Sequence, residues 1–186
     1  MRKILLCSIT LALAAVTAVA DVVPVDGSWH EFLFGLAGTF VTSCGGTGCV
    51  ATIDPVAEQT SAPPWTFAGP AVVTITDLFG RGDRLELFDN GAPVGLTSVP
   101  VNDGAVTCPS PGLGNDILAC LADPTYSHGV FTLGGGAHSL TIEVTQNALG
   151  TTAGVAVFQV VPEPSAFAPL LGIGLFGLAA LRRNMR

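Results

Sequence analysis

In "HSLTIEVT", Leu140, Ile142 and Val144 alternate with Ser139, Thr141, Glu143 and Thr145. A period of two suits a strand with one buried face and no helix. The same habit recurs in "AVVTITD", where Val73 and Ile75 face away from Thr74 and Thr76, and in "RLELFD", with Leu85 and Leu87 opposite Arg84, Glu86 and Phe88. "AGVAVFQVV" is apolar on both faces, as a central strand is. "HEFLFGL" and "GTFVTS" read as earlier strands. Between them lie turn signals: "GRGD", "DNG", "NDG", "GGG" and several X-Pro steps. Asp89-Asn90-Gly91 marks a tight turn between Leu87 and Val94. Only "NDILACLAD" suits a helix, of about two turns. There is no βαβ rhythm, no heptad and no fixed-period repeat. The pattern predicts an all-β fold, an antiparallel β-sandwich or jelly roll, over residues 21–160.

The ends differ from this middle. Met1-Arg2-Lys3 is followed by the apolar run "ILLCSITLALAAVTAV" and by Ala18-Val19-Ala20, an A-x-A cleavage pattern. Residues 1–20 therefore read as a secretory signal peptide, with Ala18 and Ala20 at the cleavage point and Asp21 as the new N-terminus. Cys7 lies inside the apolar run, away from the position of a lipoprotein cysteine. All 14 acidic residues fall between Asp21 and Glu163, where Arg81 and Arg84 are the only Lys or Arg, a balance of −12. Such a surface repels nucleic acid and anionic headgroups, which argues against a nucleic-acid partner. Divalent cations and cationic polymers remain as electrostatic partners. In an oxidising compartment Cys44, Cys49, Cys108 and Cys120 are expected to form disulfides. Of the three pairings, locality favours Cys44–Cys49 and Cys108–Cys120, each flanking a Gly/Pro-rich loop. A zinc site lacks C-x-x-C spacing and a histidine near the first pair.

The C-terminal residues 161–186 form a third unit. Ala166 to Leu181 carries no charge. As a helix it would span roughly 24 Å at ~1.5 Å per residue, short of the ~30 Å bilayer core. Arg182, Arg183 and Arg186 form a basic stop that stays cytoplasmic. The prolines of Pro162-Glu163-Pro164 are expected to keep the segment extended and out of both helix and sheet, leaving the Glu163 carboxylate as a readable charge. This order of parts resembles the PEP-CTERM sorting signal of exported bacterial proteins. The resemblance implies recognition by the membrane enzyme exosortase, a membrane-held precursor, and delivery to the cell surface or exopolysaccharide matrix. "VTITDLFGRGDRLELFDNGAPVGLTSVP" and "GGAHSLTIEVTQNALGTTAGVAVFQVVPEP" also look like a β-rich domain often found with this tail. More distantly they resemble the CUB-type jelly roll, some members of which bind calcium. Asp83, Glu86 and Asp89 stand at comparable positions, with Asn90 inserted before Gly91.

Candidate chemistry in the middle is sparse. Asp77, Asp83, Glu86 and Asp89 gather hard oxygens suited to calcium, without EF-hand spacing; the competing expectation is solvated carboxylates paired locally with Arg81 and Arg84. Arg81-Gly82-Asp83 spells a tripeptide used by some adhesion ligands, but reads as the shaping of a hairpin end. Trp29, Trp65, Tyr126 and the phenylalanines belong to the core or to a sugar-stacking platform, with Trp65 of "SAPPWTF" placed in a loop. His30, His128 and His138 form no H-E-x-x-H, and no G-x-S-x-G, Walker or dinucleotide pattern is present. The expectation is therefore a non-catalytic, exported structural or binding protein. The alternatives are a surface glycan-active enzyme using carboxylates, or a calcium-dependent carbohydrate-binding or adhesion module.

Overall fold

The computed structural model describes residues 20–45, 49–53, 55–108 and 115–164. Nearly all of the leader, the apolar tail and Arg182, Arg183 and Arg186 lie outside them. Within the described residues, β1 (Asp21–Val22), β2 (Trp29–Phe34), β3 (Thr42–Ser43), β4 (Thr52–Ile53), β5 (Trp65–Asp77), β6 (Arg84–Asp89) and β7 (Ala92–Leu96) come first. They are followed by β8 (Asn115–Asp116), α1 (Ile117–Ala122), β9 (His128–Gln146) and β10 (Gly154–Pro162). The class is all-β, as the alternation predicts. Eight strands hydrogen-bond into one curled sheet in the order β3-β2-β10-β5-β9-β6-β7, with β1 beside β5. The β4–β8 pair stands apart.

The alternating residues explain the core. Leu85 and Leu87 of β6, Leu140, Ile142 and Val144 of β9, and Val73 and Ile75 of β5 all point into the curl with Phe32, Phe34, Trp65 and Phe158. Strand β10 is buried on both faces, as its unbroken apolar sequence requires. Ala156, Phe158 and Val160 enter that core, while Val155 and Val157 enter a second cluster with Trp29, Leu78, Ile117, Cys120 and Tyr126. Helix α1 caps this second cluster. Asp116 is its N-cap, accepting from the Ala119 N–H at 2.9 Å. Both disulfides pair as locality suggests, Cys44–Cys49 and Cys108–Cys120, and the second ties α1 to the loop before it.

Several expectations need correction. Trp65 is not in a loop; it opens β5 and is fully buried. "GTFVTS" contributes only the short β3, its earlier residues bridging instead to β9 through Phe40 and Glu143. "GGG" at 134–136 is not a turn, since β9 runs through it. There Gly69 of β5 lies opposite Gly136, and a Cβ on Gly69 would stand 2.3 Å from the Gly134 carbonyl oxygen. Two backbones meet too closely for side chains, which is why glycine sits inside a strand.

Candidate functional site

Four element ends converge at one end of the sheet. Asp77 closes β5, Asp83 precedes β6, Ala148 follows β9 and Gly154 opens β10. Asp77 is 0% exposed and Asp83 2%. Asp83 Oδ1 accepts the Ala148 N–H at 2.8 Å. Neither carboxylate oxygen of Asp77 makes a well-formed hydrogen bond, and the backbone N–H groups of Leu78, Gly82 and Asp83 near it only partly offset its burial. Burial, reinforced by the neighbouring charge of Asp83, pushes the Asp77 carboxyl well above the ordinary range. Burial likewise raises Asp83, to about 6, against the pull of the Ala148 N–H. A Cβ at Gly154 would lie 2.4 Å from Phe34 and 3.0 Å from Asp83 Oδ2, so only glycine lets β10 pass this close to the pair.

The four carboxylates singled out in the sequence are thus split. Asp77 and Asp83 come together, while Asp89, at the far end of β6, accepts from His138 Nδ1 at 2.8 Å. Glu86 lies in register with Glu143. Among the described residues the four do not converge on one ion-sized site. Nor are Asp77 and Asp83 solvated or paired with arginine. Arg81 binds Asp103 through Nε at 2.7 Å and Nη2 at 2.6 Å, and Arg84 Nε donates to the Thr97 carbonyl. With Asp83 buried, Arg81-Gly82-Asp83 cannot be presented as an adhesive tripeptide; it shapes the β5–β6 connection.

Other candidate groups are committed to the fold. Trp29, Trp65 and Tyr126 are buried, so they provide no sugar platform; the Tyr126 hydroxyl donates to the Phe79 carbonyl at 2.7 Å. His30 Nδ1 meets Glu58 at 3.2 Å and Ser61 Oγ at 3.3 Å. Serine and carboxylate share one ring nitrogen, which is not the relay of a nucleophilic triad. Glu31 lies within 4.8 Å of Cys44 and Cys49, but those sulfurs are bonded to each other rather than available to zinc. His138 Nε2 also meets the Gly134 carbonyl at 2.9 Å, beside a shallow groove of about 440 Å³ lined by Val22, Phe67, Asn90 and His138. The sequence held no signal for the Asp77–Asp83 pairing beyond their shared turn-rich segment, because burial depends on β9 and β10 arriving beside them.

The sorting motif lies at the opposite end of β10. Pro162 is not outside the sheet as expected: it pairs with Ala71 as the last residue of β10, and the Glu163 N–H reaches the Pro70 carbonyl at 3.4 Å. Proline is tolerated there because no ladder bond is asked of its nitrogen. Further along the same edge of β5, β1 occupies the next positions, with Asp21 opposite Trp65 and Val22 opposite Thr66. The chain therefore leaves the sheet at Glu163 and Pro164. No helix among the described residues is long and apolar enough to cross a membrane.

A compact, disulfide-stapled β domain that releases its last strand directly into a proline-flanked carboxylate is a passenger with a C-terminal address. Residues 160–184 match the family model of the PEP-CTERM protein-sorting motif. That match marks an exported protein, held at the membrane before processing, with exosortase as its processing partner. No curated protein and no solved structure matches the chain.

Proposed function

We propose that the protein is a structural or binding component of the cell surface or extracellular matrix, associated with exopolysaccharide and non-catalytic. The observation that carries this reading is the sorting motif fused without a linker to a domain whose distinctive side chains are spent on its own core. The buried carboxyl pair supports it, because Asp77 and Asp83 do not flank a cleft open to a glycan as a glycosidase pair must. Chemical class favours a neutral or cationic matrix polymer, since the domain's acidic balance repels anionic ones.

The test has two parts. In cells lacking exosortase, and for Glu163→Ala in normal cells, the full-length precursor should accumulate in the membrane. Unchanged processing and release would remove the sorting assignment. Separately, enzymatic digestion of the matrix polysaccharide should release the mature protein from the surface fraction. Turnover of that polysaccharide by the purified protein would establish the glycan-active alternative instead.

A further inference from the structure

We propose that Asp77 and Asp83 are the carboxylate ligands of a divalent cation, calcium by its chemistry, bound where the ends of β5, β6, β9 and β10 converge. Two features carry this. Asp77 is wholly buried with no well-formed hydrogen bond to either carboxylate oxygen and only the nearby N–H groups of Leu78, Gly82 and Asp83 to offset its charge, and a second buried carboxylate, Asp83, is its neighbour. Burying an unpaired carboxylate is strongly unfavourable, and a like charge next to it adds to that. Folded proteins resolve such a pair with a counter-charge or a shared proton.

Among the described residues no side-chain cation is placed against the pair. Arg81 and Arg84, the only Lys or Arg between Asp21 and Glu163, are engaged with Asp103 and Thr97. The three histidines are placed with other partners: His30 with Glu58, His128 with the Tyr126 carbonyl and His138 with Asp89. Asp83 keeps Oδ2 beside the start of β10, while Oδ1 takes the Ala148 N–H. Hard carboxylate oxygens set among loops, whose carbonyls can complete a flexible shell of about six to eight oxygens, suit calcium better than the smaller magnesium. Glu86 and Asp89 are not ligands in this arrangement. The site is independent of the tail, so a failure of sorting leaves it untouched.

Thermal melts and calorimetric titration of the full chain, purified in detergent at pH 7.5 from cells lacking exosortase, test this directly. Calcium added after EDTA should bind as one equivalent and raise Tm by on the order of 5 °C at a hundredfold excess over Kd. Magnesium should do markedly less. Asp83→Asn and Asp77→Asn should abolish the response, while Glu86→Gln and Asp89→Asn retain it. Absence of the wild-type response, or a response that survives both buried-site variants, overturns the proposal. So does an Asp77→Asn protein more stable than wild type with and without calcium, which would identify a shared proton. Should neither buried-site variant fold, the wild-type stoichiometry decides: one saturable equivalent supports the site, and none or many overturns it.

Discussion

Glu58 is a carboxylate that the fold holds firmly in its charged form. Burial alone would raise it, but the Thr60 hydroxyl and N–H, the Ser61 N–H and His30 all hydrogen-bond to it and hold it down at about 2, against 4.5 when free. A depressed folded-state value means that its contribution is fully present above 4.5 and disappears as the pH falls towards 2. Glu58→Gln should therefore melt several degrees below wild type at pH 7, with the gap closing by about pH 2. A gap that persists unchanged in acid would mean that the side chain matters by shape alone. Trp65 poses the opposite case, an apolar group with no exposed surface, its ring tilted against Phe158 at 4.5 Å between centroids. Trp65→Ala should cost about 3–5 kcal/mol in urea unfolding. A loss of matrix binding without loss of stability would restore the sugar-contact role that burial denies it.

Elements that the sequence displays clearly are those with simple burial. The alternation in "RLELFD" marks β6 from Arg84 to Asp89 because one face meets the core and the other does not. The doubly apolar "AGVAVFQVV" marks β10 because each face meets a different cluster. What the sequence hides depends on contacts distant along the chain. The "GGG" of β9 resembles a turn until Gly69 of β5 is placed against it, and the prolines before Trp65 mask a strand start that pairs with β1. The carboxyl pair is hidden for the same reason: a list of acidic residues carries no depth. Gly154 tests how tightly these ends fit. Gly154→Ala puts a methyl into Phe34 and should cost about 1–3 kcal/mol, read by chemical denaturation. A neutral result would show that Phe34 moves aside easily. The Cys108–Cys120 bridge holds α1 over the second cluster and closes a short loop. Replacing both cysteines with serine should cost about 3 kcal/mol, measured against wild type under oxidising conditions.

At the scale of the whole molecule, both ends of the domain lie along one edge of β5, with β1 and the last residues of β10 meeting there. Deleting residues 21–23 removes Val23 from the core and the partner of Trp65 and Thr66, and should lower Tm without moving the site of tail cleavage. A shifted cleavage site, seen by intact-mass analysis of the released protein, would show that β1 also sets where exosortase acts. The strand that ends in the motif begins at Gly154, beside the carboxyl pair. The eight steps from Gly154 to Pro162, at ~3.3 Å each, put these two places roughly 26 Å apart. The domain thus has a tethered pole and a free pole. Cleavage beyond the motif acts at the first pole alone, so the surroundings of the carboxyl pair are the same before and after processing.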